Sequence, residues 1–199
     1  MMLTEQTAVP TAALPIQEFK DHLRLGTGFA DDGVQDALAE GYLRAAMAAI
    51  EGRIGKALMS RDFLWIVDCW RDGMAQAVPV APVSAVASLT VRDAGGVATV
   101  VPAAAWRLVK DMHRPKIAGV GGSLPAIPTG GQAEILFTAG FGPAWSNVPV
   151  DLAQAVFLLA AQFHENRHEA GERGTGLPFG VMALIERWRT VRVLGGGEA

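Results

Sequence analysis

At Ser60 the spacing of apolar residues changes, and after Gly142 it changes back. Before Ser60, Leu43, Met47, Ile50 and Ile54 recur every three or four residues, the period of one helix face. Leu58 extends that stripe if the helix carries past Gly55. From Ser60 the period drops to two: Phe63, Trp65, Val67 and Cys69 alternate with Leu64, Ile66, Asp68 and Trp70. Past Gly142 the helical period returns with Leu152, Val156, Leu159 and Phe163. Helices, then a block of strands, then helices is the order of a segregated α+β fold, not of alternating βαβ units. The two helical ends are expected to pack as a bundle, with a β-rich insertion at about residues 60–140.

The individual elements follow from local signals. Pro15 suits the first turn of a short helix from Ile16 to Leu25. Asp31 and Asp32 can cap a helix from about Gly33 to Arg53, whose Gly41, Ala45, Ala46, Ala48 and Ala49 give it a slim second face. The Phe63–Cys69 strand is apolar on both sides, which predicts cover on both sides. Extended runs are expected at Met74–Val80, Ala85–Asp93, Val97–Val101, Trp106–Lys110, Ile117–Val120 and Ala133–Thr138. Ala94-Gly95-Gly96 marks a hairpin turn. Pro149 and Asp151 open a helix to about His168, and Pro178 opens a last one to about Val193. The divisions expected are a flexible arm at 1–13, a helical core from 14–59 and 148–194, the β-rich insertion at 60–147 and a flexible tail at 195–199.

Composition narrows the function. The chain has 199 residues, half of them hydrophobic, enough for one sizeable domain. Its net charge of −3 argues against nucleic acid as an electrostatic ligand, since phosphate binding needs clustered Lys and Arg. A single cysteine, Cys69, excludes an intrachain disulfide and is expected to be a buried thiol. No signal peptide is visible, and the most apolar helix falls short of the roughly 20 residues that span a bilayer. The expectation is a protein made in the cytoplasm, with no membrane partner.

One segment imitates an enzyme. His164-Glu165-Asn166-Arg167-His168 spells H-E-x-x-H, in which two histidines one helical turn apart grip a zinc ion and the glutamate activates its water. The extended motif puts a third histidine where this chain has Gly174, and two imidazoles alone make a weak site. The same residues also fit a helix end, because His and Arg favour the negative pole of the helix dipole and Gly171 stops the turn. A zinc-dependent hydrolase using His164, Glu165 and His168 is therefore the alternative function; no cofactor is the first expectation. Surface candidates are Trp145, in the loop from Gly142 to Pro149, and the basic aromatic group Arg187, Trp188 and Arg189 on the last helix.

A longer pattern runs through the chain. Leu14-Pro15-Ile16-Gln17-Glu18-Phe19, the stretch Ala45–Ser60 and Val78-Pro79-Val80-Ala81-Pro82-Val83 are followed by Phe137-Thr138-Ala139-Gly140-Phe141-Gly142. Then come Val148-Pro149-Val150-Asp151-Leu152, Phe163-His164-Glu165-Asn166-Arg167 and Leu177-Pro178-Phe179-Gly180-Val181. In this order and spacing the chain resembles the head–tail connector (adaptor) proteins of long-tailed phages and phage-like gene transfer agents. The resemblance covers most of residues 14–194. The family carries an aromatic-x-E-N-R segment at Phe163–Arg167, which makes the H-E-x-x-H incidental.

The resemblance implies a structural, non-catalytic subunit that forms a homo-oligomeric ring of twelve on the portal of a DNA-filled capsid. Its other partner would be a tail-side stopper or tail-completion protein. DNA would pass through the channel without specific binding. Location would be the host cytoplasm during assembly, then the virion or phage-like particle at its head–tail interface. Glu165 and Arg167 are expected in structural ion pairs. The segment from Arg187 onward is expected to meet the portal, with Trp188 or Leu194 as an apolar anchor.

Overall fold

A computed structural model describes residues 1–23, 34–166 and 176–189. It contains four helices and two antiparallel sheets among the described residues. Helices α1 (Ile16–His22) and α2 (Val34–Ile54) precede the strands; α3 (Val150–Glu165) and α4 (Phe179–Ile185) follow them.

The strands are β1 (Met2–Glu5), β2 (Arg61–Val67), β3 (Ala75–Ala77), β4 (Val83–Arg92), β5 (Ala98–Val100), β6 (Trp106–Val109), β7 (Lys116–Gly119) and β8 (Gln132–Ala139). The larger sheet runs β1-β2-β8-β4-β5 and the smaller β3-β7-β6.

Burial follows the two periods. On α2, Ala39, Leu43, Ala46, Met47, Ile50 and Ile54 are buried; on α3, Leu152, Ala155, Val156, Leu159 and Ala160 are. These residues join Phe19, Val181, Ile185 and Trp188 in one apolar cluster, with α2 against α1 and α3, and α3 against α4. Each buried Leu or Ile there contributes roughly 1.5–3 kcal/mol from water exclusion.

A second cluster fills the space between the sheets. Phe63, Trp65 and Val67 of β2, Leu89 and Val91 of β4, and Ala133, Ile135 and Phe137 of β8 meet Val78, Ile117 and Leu124. Register sets Phe63 opposite Phe137, with ring centroids 5.5 Å apart.

The segment from Gly55 to Ser60 passes between the two clusters. Gly55 has φ +68°, which ends α2 before Leu58 can continue it as helix. Ala57 N–H then donates to the Ala81 carbonyl (2.9 Å) and Ser60 N–H to the Gly142 carbonyl (2.8 Å). Gly140 crosses this segment at φ +133°, and a Cβ there would overlap the Met59 carbonyl.

Several expectations change. Met2–Glu5, placed in a loose arm, pair with β2 from Met2↔Ile66 to Glu5↔Phe63. All four are exposed, so no burial pattern marks the strand. Its ties are the backbone ladder and the Glu5–Arg61 ion pair at 2.8 Å.

Cys69 is exposed rather than buried, because β2 stops at Val67 and the alternation stops with it. Leu64 and Ile66 are half-buried, so the outer face of β2 is only partly covered. The last helix ends early: α4 tightens into a 3-10 turn at Glu186–Trp188, and Arg189 is extended. Asp31 and Asp32 lie outside the described residues.

Candidate assembly surface

Both C-terminal helices open with an exposed apolar residue. Pro149 and Pro178 stand in extended backbone immediately before α3 and α4, as proline's fixed φ favours at a helix start. The next residues, Val150 and Phe179, are 85% and 90% exposed. An aromatic ring left so open is not explained by the subunit's own packing, and it suits contact with another protein. Phe179 was visible in the Leu177–Val181 motif, but nothing in the pattern showed its direction.

The far end of α4 does the reverse. Trp188 is 8% exposed, packed edge-on against Phe141 with centroids 5.3 Å apart. Its indole N–H donates to Asp151 at 2.8 Å. Arg187 lies over the same ring, 4.8 Å from its centroid, with its Nε 3.4 Å from Asp151. Arg189 pairs with Glu186 at 3.0 Å. Trp188, expected as an anchor for a partner, is thus committed to its own subunit, while Arg187 stays 72% exposed.

The other predicted residues are scattered. Trp145 is half-buried and stacked on Phe157, centroids 5.7 Å apart, so only part of it is free for a partner. Glu165 is exposed at the end of α3. His164 meets the Tyr42 ring edge-on at 5.7 Å. Arg167, His168 and Leu194 lie outside the described residues. Among the described residues no group of three His, Cys, Asp or Glu could hold a metal ion, and no helix is long and apolar enough to cross a membrane.

Two charged clusters went unpredicted, and both sit where helices meet sheet. Arg61 of β2 donates to both Glu51 oxygens of α2 (2.9 and 2.6 Å), with Glu5 of β1 on its Nε side. Glu51 also accepts Leu58 N–H at 2.7 Å. Burial pulls the Arg61 pKa down, but the Glu51 and Glu5 carboxylates outweigh it and hold it above the ordinary value. The second cluster is Lys56, buried beside a cavity of about 320 Å³ that Glu51, Arg61 and Phe63 also line. A lysine inside Ile54-Gly55-Lys56-Ala57-Leu58-Met59 was the one available signal.

No protein-family model matches the chain, and no curated protein matches it. Solved structures do. A chain in the neck of an empty gene transfer agent particle, computed with sixfold symmetry, is 64% identical with a TM-score of 0.89. A chain in the virion of a native gene transfer agent is 64% identical with a TM-score of 0.86. A chain in the neck of a native particle, computed with twelvefold symmetry, is 60% identical with a TM-score of 0.82. Each match covers 98% of this chain and 99% of the other. Identity at this level along almost the whole length carries more weight than any single motif: the chain belongs to the head–tail connector family of long-tailed phages and phage-like gene transfer agents.

Proposed function

We propose that the chain is the adaptor subunit of a gene transfer agent. It forms a ring on the portal of a DNA-filled capsid and receives a tail-side stopper or tail-completion protein. The observation that carries this reading is the 64% identity to a chain of a gene transfer agent neck. Sixfold and twelvefold descriptions of related necks support a ring of twelve, since a twelvefold ring also obeys sixfold symmetry. The subunit's charge of −3 suits a channel that DNA passes without adhering. No catalytic step is required of it.

The exposed Phe179, Val150 and Arg187 are the residues we assign to contacts with neighbours. Leu194 and the chain after Arg189 are assigned to the portal. Glu165 and Arg167 are assigned to structural ion pairs, within the subunit or across the ring. The protein assembles in the host cytoplasm and ends at the head–tail interface of the particle.

The test is to image particles made with a chain lacking Val193–Ala199. The expected result is DNA-filled heads without tails beside a folded, unattached subunit. Tailed particles at the wild-type level would overturn the portal assignment. Full heads that lose tails only when the whole chain is removed would keep the adaptor role and move the docking site to Phe179 or the Trp145 loop.

A further inference from the structure

The β6–β7 hairpin is charged against the rest of the subunit. Between Trp106 and Gly119 it carries Arg107, Lys110, Arg114 and Lys116 but only one acid, Asp111, in a chain whose net charge is −3. All four cations are exposed. Elsewhere Arg44, Arg92, Arg187 and Arg189 each meet a carboxylate of their own subunit. Among the described residues Arg107, Lys110 and Lys116 have no such partner.

Register gathers two of them. β7 sets Lys116 opposite Ala77 and Val109, and Ala118 opposite Ala75 and Arg107. Alternation puts Arg107 and Lys116 on one face of the small sheet, as diagonal neighbours about 7–8 Å apart. The other face holds Gln76, Leu108 and Ile117, of which Leu108 and Ile117 pack into the core between the sheets. Apolar groups lie among the charges. Met112 at the hairpin tip, Val120 just past β7, and Met74, whose carbonyl accepts the Gly119 N–H at 3.0 Å, are all exposed. Methionine beside arginine is the make-up of a protein-binding surface, whereas a nucleic-acid surface is more uniformly polar.

The opposite end of α2 carries the complement. Glu18 and Asp21 of α1 are both exposed, and among the described residues no cation pairs with either. Asp21 accepts only the Gln17 amide, at 3.0 Å. The Lys20–Asp36 ion pair (2.8 Å) ties α1 to the start of α2. At the far end Lys56, just past α2, bonds His113 of the hairpin at 3.1 Å. The 21 residues of α2 between them span about 30 Å.

We propose that the β6–β7 hairpin is one half of the contact between ring neighbours: Arg107, Lys110 and Lys116 of one copy dock on Glu18 and Asp21 of a second copy of this chain. The inference rests on the ring reading above. Such a contact joins two different patches of the same subunit, so it repeats from copy to copy until the ring closes. The charges fix the register and reject a wrong pairing, while Met112 covers apolar surface beside them.

The experiment is charge reversal in particles made with full-length subunits, scored by imaging for the neck ring. Arg107→Glu with Lys116→Glu should cut the number of ring-bearing particles about tenfold or more, since like charges then face each other. Glu18→Lys with Asp21→Lys should do the same, and all four changes together should restore the ring. Rings at the wild-type frequency in the hairpin reversal overturn the contact. So does a loss that the α1 reversal fails to repair, which would turn the hairpin toward the portal, a tail-side protein or DNA. A wild-type chain missing from the neck overturns the ring reading and this contact with it. Circular dichroism of each purified subunit checks its folding. Should a reversal misfold, Asp21→Cys with Lys116→Cys in a Cys69→Ser chain decides: a short bis-maleimide should link neighbouring copies in the particle, and unlinked copies overturn the contact.

Discussion

The Trp188 indole N–H donates to the Asp151 carboxylate across 2.8 Å, closing the end of the C-terminal helical segment onto the start of α3. The two helices are therefore held at this end by a directed bond as well as by apolar packing. Trp188→Phe keeps the ring against Phe141 and removes the donor. The subunit should lose about 1.5 kcal/mol in urea unfolding, the scale of a hydrogen bond to a charged group. An unchanged midpoint would mean that Arg187 satisfies Asp151 alone.

Arg61 should be the costliest single charge to remove. Arg61→Met leaves Glu51 enclosed without its guanidinium, and the loss should reach about 3 kcal/mol or more. Arg61→Lys should fall between, because one ammonium cannot span both oxygens as the guanidinium does. Chemical denaturation of the three proteins checks the order.

On the outer face of the larger sheet, Arg92 grips Glu134 at 2.9 and 3.1 Å. That bond, aided by Gln132, holds the Glu134 pKa below its ordinary 4.5 against the effect of burial. The folded carboxylate thus gives up its proton more readily than the unfolded one. Its stabilisation is present above pH 4.5 and disappears as pH falls through the lowered value. Glu134→Gln should flatten that part of the acid limb, read as unfolding midpoints along a pH series.

Gly140 admits no side chain. Gly140→Ala combines an unfavourable φ with overlap at the Met59 carbonyl, and both sheet and helices depend on that crossing. A loss of about 3 kcal/mol or more is expected, measured as a lowered melting temperature.

Periodicity made the main elements legible. The alternation through Phe63, Trp65 and Val67 and the stripe through Leu43, Met47, Ile50 and Ile54 both reappear as buried faces. Local chemistry located the hairpin at Gly95-Gly96, where Gly96 takes φ +85° and Asp93 caps the turn. What stayed hidden was tertiary. β1 buries nothing, so only its pairing with β2 defines it. Lys56 and His113 are 57 residues apart, and no spacing rule connects them. Trp188 looked like a free aromatic because its partners, Phe141 and Asp151, come from elsewhere in the chain. Phe179 was the opposite case: an apolar residue at a helix start gave no sign that its ring faces outward.

Strand β8 lies at the centre of the larger sheet yet is its last strand in sequence, with β2 on one side and β4 on the other. A ribosome making this chain releases β1, β2, β4 and β5 well before the strand that unites them. Until residue 139 has emerged, β2 and β4 have open edges and no common neighbour. α2 likewise waits for α3. Folding must therefore be a late event in synthesis, and in the interval those edges can pair with other nascent chains. Crowded translation of this message would then favour aggregation over completed subunits.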